Sequence, residues 1–176
     1  LARHTRHSAS CDVLATNDPG FKKQYGLEQI GAPAAWTKTA GNGITIAVVD
    51  SGVDPRSDFG SRLLTSVNLT TLPGNSAGDG RGHGTFVAGI AAGAGSNLAG
   101  AAPTAPIVSV DVMDDKGQAL TSDVIAGAEW ILANKGKYNI KVANFSLHSL
   151  RPSNFMNDPL DRAVEKGRLT QAQADQ

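Results

Sequence analysis

The sequence predicts an α/β fold, a parallel β-sheet with helices on both faces, and three features carry the prediction. Residues 44–49, Ile-Thr-Ile-Ala-Val-Val, form a nearly unbroken apolar, β-branched run that suits a strand buried on both faces. Such runs alternate along the chain with segments whose apolar residues recur at helical spacing, the rhythm of right-handed strand-helix-strand crossovers. Glycine is abundant (20 of 176 residues) and charged residues are sparse (18%), so helices and sheet can approach closely.

Taken in order, residues 1–16 are polar and irregular and read as a tail or the end of an upstream pro-segment. The chain turns globular from Gln29. After the strand at 44–49 comes a weaker one at 63–69, then a glycine-rich loop. Residues 85–93 place Phe86, Val87, Ile90 and Ala91 at helical spacing with Ala and Gly between them, a small-faced helix able to sit close to a sheet. Residues 107–113 alternate like a strand. Ser122 then opens a helix whose stripe is Val124, Ile125, Ala128, Ile131 and Leu132. A further strand is predicted at 142–147. A last helix is delimited by Asn157 or Asp158 as N-cap, Pro159 at its first position and Gly167 just past its end. Residues 168–176 are polar where another buried strand is due.

Bulk properties narrow the function. Lys plus Arg and Asp plus Glu number 16 each, so no chain-wide field draws in nucleic acid or anionic lipid. No run approaches the ~18 apolar residues of a membrane span, and none resembles a signal peptide's apolar core. Cys11 is the single cysteine, so an internal disulfide is excluded.

Chemistry concentrates at two points. Asp50 ends the 44–49 strand, and in open α/β sheets reactive groups gather beyond the carboxyl ends of strands. His83 follows 33 positions later, between Gly82 and Gly84 and just ahead of a helix. A carboxylate so placed can hold an imidazole in one tautomer so that the ring acts as a general base. Asp50 could equally cap the turn Asp-Ser-Gly, and a histidine in a glycine-rich turn is ordinarily a surface residue.

The residues Asp50-Ser51-Gly52-Val53-Asp54 and His83-Gly84-Thr85-Phe86-Val87-Ala88-Gly89 resemble the Asp and His motifs of the subtilases, the subtilisin-like serine proteases. Asn17-Asp18-Pro19, Gly26-Leu27 and Ile30-Gly31-Ala32-Pro33-Ala34-Ala35-Trp36 resemble the start of their mature domain. Gly100-Ala101-Ala102-Pro103 and Val142-Ala143-Asn144-Phe145-Ser146-Leu147 resemble two later stretches. The resemblance implies a secreted serine endopeptidase with a subtilisin-like fold. Its partial catalytic domain would span 17–167, with Asp50 orienting His83 and His83 moving the proton of a serine. It also implies that a polypeptide substrate lies as an added strand between Gly117-Gln118-Ala119 and Ser146-Leu147-His148, with main-chain hydrogen bonds giving affinity.

The chain departs from the family pattern in ways that matter. The family's Gly-Thr-Ser-Met-Ala type nucleophile motif does not occur in this sequence, nor does the strand that precedes its oxyanion-stabilising Asn. Without a nucleophile no acyl-enzyme forms, so the chain is expected to be an inactive, truncated form. The alternative is a pseudo-protease that binds peptides and cuts none. His148-Ser149 replaces two glycines that would line a specificity pocket, and Ala119 replaces a glycine. Residues 93–99 are shorter than the family's calcium loop and hold few carboxylates, so no metal or other cofactor is expected there.

Other motifs fit less well. Gly74-Asn75-Ser76-Ala77-Gly78 spells Gly-x-Ser-x-Gly, the nucleophile elbow of α/β-hydrolases, but lacks a strand before it and has the acid ahead of the serine. Gly80-x-Gly82-x-Gly84 matches neither phosphate-binding pattern. His4, His7 and Cys11 have no recognised zinc spacing.

Overall fold

A strand with apolar side chains on both faces belongs in the middle of a sheet, and β1 (Thr45–Asp50) lies there. A computed structural model of the chain describes residues 19–95 and 98–148. The predicted last helix and both predicted tails fall outside these described residues. With β2 (Leu63–Asn68), β3 (Ile107–Asp111) and β4 (Ile140–Phe145), β1 forms an all-parallel sheet of order β2-β3-β1-β4. The helices are α1 (Tyr25–Gln29), α2 (Ala32–Trp36), α3 (His83–Ala92) and α4 (Thr121–Tyr138).

Burial follows strand position. Every residue of β1 and β3 is buried, whereas β2 alternates and β4 is only partly buried, these two being the outer strands among the described residues. Successive side chains of β1 point to opposite faces. Ile46 and Val48 pack with Ala88 and Ala92 of α3, together with Val53, Phe59 and Ile107. Ala47 and Val49 pack with Val124 and Ile131 of α4 and with Val108, Val110 and Val112. Helices therefore cover both faces, as the sequence predicts. A third cluster of Leu27, Ala32, Trp36, Ala40 and Ala99 lies under α1 and α2, where the Trp36 indole N–H donates to the Ala101 carbonyl at 2.9 Å.

Two helices differ from expectation. The face α3 turns to the sheet is Gly84, Ala88 and Ala92, spaced four apart, while Phe86 (65% exposed) and Ile90 (57%) point to solvent. Its buried side is small because a Cβ on Gly84 would collide with the Gly52 carbonyl oxygen. The helix also begins at His83, two residues before the predicted start. In α4, Ser122 lies inside the first turn rather than opening it. The buried Asp123 carboxylate beside it accepts from the Thr71 amide (2.9 Å) and hydroxyl (3.0 Å), tying the loop after β2 to this helix.

The sheet positions the site through its order. β2 and β3 lie to one side of β1 and β4 to the other, so the carboxyl end of β1 opens at a point where the chain leaves in both directions. Asp50 stands there, opposite Asp111 of β3.

Candidate active site

Asp50 is fully buried, and its main chain still pairs with the sheet, the Val112 amide donating to its carbonyl at 2.9 Å. Two nitrogens converge on carboxylate Oδ1, the Ser51 amide at 2.8 Å and His83 Nδ1 at 2.7 Å. No donor among the described residues reaches Oδ2. A buried carboxylate is costly unless hydrogen-bonded or paired, and the imidazole is the group that meets this need.

A carboxylate accepts and does not donate, so in the neutral ring the contact assigns the His83 proton to Nδ1 and leaves the lone pair on Nε2. The His83 side chain is 41% exposed while that of Asp50 is 0% exposed, so one partner is locked in the core and the other faces the solvent side. Gly82 brings the chain into this position. Its φ of +81° is the left-handed conformation that glycine adopts without strain, and it turns the loop directly into α3.

His83 lines a cavity of about 190 Å³. Around it stand Gly117, Ala119, Ser146, Leu147 and His148, five of the six residues that sequence reasoning placed at the substrate. Gln118 is the exception and is not among the lining residues. Its amide donates to the Asp114 carboxylate at 2.8 Å and its carbonyl accepts from the Asp114 amide at 2.9 Å, so both of its main-chain groups close a local turn. This leaves the two neighbours of Gln118 to face the cleft.

The cavity is also lined by Arg81, Met113, Thr121 and Val124, which the sequence did not place at the site. Arg81 is, besides His83, the only side chain in the stretch from Gly80 to Gly84, a placement that could have drawn notice. Its guanidinium donates to the Lys116 carbonyl at 2.7 Å and lies against Gly117. Met113 and Val124 carry no such signal, since in sequence they read as ordinary core.

The hydrolase-elbow reading fails on geometry. Ser76 sits in a loop with no strand leading into it, and its hydroxyl and amide both donate to the Asp115 carboxylate rather than engaging an imidazole. These bonds hold the Asp115 carboxyl below the usual range, the hydroxyl contributing most. Nearby, burial pushes the Asp111 carboxyl up, opposed by the hydrogen bond from the Asn75 side chain. Among the described residues no group of three or more His, Cys, Asp or Glu is placed to hold a metal ion.

A buried Asp at a strand's carboxyl end, bonded to a His that opens a helix beside a cleft, is the disposition the Asp and His motifs implied. Residues 41–174 match the subtilase family. The chain belongs to the subtilase family. This subtilase is 36% identical over 162 residues to Subtilisin-like protease 5 of Arthroderma gypseum, covering 87% of the chain and 39% of that relative. It is 34% identical over 152 residues to Subtilisin Savinase of Lederbergia lenta (84% and 54%). To Thermitase of Thermoactinomyces vulgaris it is 35% identical over 166 residues (90% and 57%). The subtilase sequence thus spans between about two fifths and somewhat over half the length of these three relatives. Among its described residues no helix is long and apolar enough to cross a membrane.

Proposed function

We propose that the chain contributes the acid and base of a subtilisin-like serine endopeptidase. The observation that carries this reading is the 2.7 Å contact from His83 Nδ1 to a wholly buried Asp50, at the wall of a cleft lined by Gly117, Ala119, Ser146, Leu147 and His148. With Nδ1 occupied, Nε2 takes the proton of a serine hydroxyl as the hydroxyl attacks the scissile carbonyl. It then returns that proton to the leaving amine, and Asp50 stabilises the intervening imidazolium. The peptide lies between Gly117, Gln118 and Ala119 on one side and Ser146, Leu147 and His148 on the other. Membership of the subtilase family and relatives named as subtilisins support the assignment. Secretion belongs to the same proposal, supported by a relative named Minor extracellular protease Epr.

The nucleophile is not in this sequence, which contains no Gly-Thr-Ser-Met-Ala type motif. On its own the chain therefore binds peptide without cutting it. The test uses a fluorophosphonate probe and casein. The chain alone should leave both unreacted. A segment carrying the serine motif, whether encoded in continuity with it or added in trans, should give casein cleavage that disappears in His83→Ala and Asp50→Ala. Cleavage that survives His83→Ala, or labelling of the chain alone at Ser76, would contradict the proposal.

A further inference from the structure

We propose that Asp79, acting through the Ser51 hydroxyl, is a positioning residue that fixes His83 against Asp50; the inference rests on the functional reading above. Asp79 is nearly buried (8% exposed) and its carboxylate accepts three hydrogen bonds. Oδ1 takes the Ser51 hydroxyl at 2.8 Å and the Gly82 amide at 2.7 Å, and Oδ2 takes the Thr85 amide at 2.7 Å. The Ser51 oxygen in turn accepts the Gly84 amide at 3.1 Å. The main-chain amides on both sides of His83 are thus held by one connected pair of side chains.

The same pair reaches the acid. Ser51 follows Asp50 directly, and its amide is one of the two groups that fix Oδ1. Because no donor among the described residues reaches Oδ2, the anchoring of this carboxylate by the protein runs through Ser51 and His83. A closed circuit results, from His83 to Asp50, to Ser51, to Asp79, and back to the amides flanking His83. Asp79 is itself fixed, since its amide donates to the Asp54 carboxylate at 3.0 Å while the Asp54 amide donates to the Thr85 hydroxyl at 2.9 Å.

Capping alone would explain only part of this. A carboxylate that accepts the free amides of a first helical turn stabilises the helix and complements its dipole. It needs no bond to Ser51, and it does not require Ser51 to divide its hydroxyl between Asp79 and Gly84. The shared hydroxyl couples the end of β1 to the start of α3, so the two groups of the dyad cannot shift independently. Catalytic groups must be held within about 0.5 Å of productive geometry by neighbours of this kind.

Nitrogen-edited NMR of the His83 ring in the 176-residue chain, read against variants, tests the proposal without needing activity. The unsubstituted chain should show a far-downfield Nδ1 proton protected from solvent exchange. Ser51→Ala keeps the Asp79 cap and removes the bridge together with the acceptor of the Gly84 amide, while Asp79→Asn removes the negative charge and one acceptor oxygen. In both, that proton should exchange roughly tenfold faster, the equivalent of one lost charge-assisted hydrogen bond. Ile131→Val, a core trim on the opposite face of the sheet, should leave it unchanged. If Asp79→Asn unfolds, Ser51→Ala decides. An unaltered proton in folded Ser51→Ala, or an equal change in Ile131→Val, would overturn the positioning role and leave the dyad standing. Absence of the protected proton from the unsubstituted chain would overturn the dyad, and the functional reading with it.

Discussion

Gly84 lies against Gly52 with no room for a side chain: a Cβ on Gly84 would strike the Gly52 carbonyl oxygen and crowd the Asp50 Cβ at 3.1 Å. The first turn of α3 and the turn after β1 are in main-chain contact, and this closeness lets the His83 ring reach the Asp50 carboxylate. Gly84→Ala should therefore destabilise the chain by about 3 kcal/mol, because a backbone carbonyl cannot yield as a side chain can. Urea unfolding measures the loss, and the His83 ring signal should broaden in whatever fraction stays folded.

Asp123 carries a separate burden. Its buried carboxylate accepts from the Thr71 amide and hydroxyl, anchoring the loop after β2 to α4. Asp123→Ala should cost about 1.5–3 kcal/mol, the worth of hydrogen bonds to a charged acceptor. Urea unfolding should show a lower midpoint with an unchanged slope.

Two carboxylates near the cleft should respond to pH in opposite senses. Burial raises the Asp111 carboxyl above the usual 3.8, so the folded chain holds this proton where the unfolded chain has lost it. Its contribution is most favourable below 3.8 and is lost as pH rises through the folded value. Ser76 lowers the Asp115 carboxyl, so that contribution is present above 3.8 and is lost as pH falls through the folded value. As pH rises from about 2 to 7, Asp115→Asn should lose ground on the unsubstituted chain over the part below 3.8, and Asp111→Asn should gain on it over the part above 3.8. Thermal melts across that range supply both curves.

The outer side of α3 predicts behaviour in solution. Phe86 and Ile90, one helical turn apart, are 65% and 57% exposed, and Val142 on the edge strand β4 is 38% exposed. The chain should self-associate in sedimentation experiments. Phe86→Glu with Ile90→Lys places an opposite-charge pair one turn apart on that face and should shift the population toward monomer. A sharp monomeric transition in the unsubstituted chain would refute the expectation.

The sequence made β1 legible because its residues are apolar on both faces, β3 because its residues alternate, and the parallel layering because such strands alternate with helical segments. The Asp50 and His83 pairing was legible through motif and spacing. The orientation of α3 was not, since Phe86 and Ile90 look like core until the close approach at Gly84 assigns the inner face to the smallest residues. Gln118 was placed at the substrate by the family resemblance, which does not convey that its main-chain groups bond to Asp114. Asp79 and Ser51 went unremarked because one reads as turn chemistry and the other as a neighbour of the acid; their meaning lies in a bond between residues 28 positions apart.

The dyad itself is tested most directly by the tautomer of His83 in Asp50→Asn. An Asn amide placed toward the ring donates where the carboxylate accepted, so the ring must offer Nδ1 as acceptor and carry its proton on Nε2. Nitrogen-15 shifts of the neutral ring should show the proton on Nδ1 in the unsubstituted chain and on Nε2 in the variant. The same tautomer in both, with no protected Nδ1 proton in either, would contradict the account.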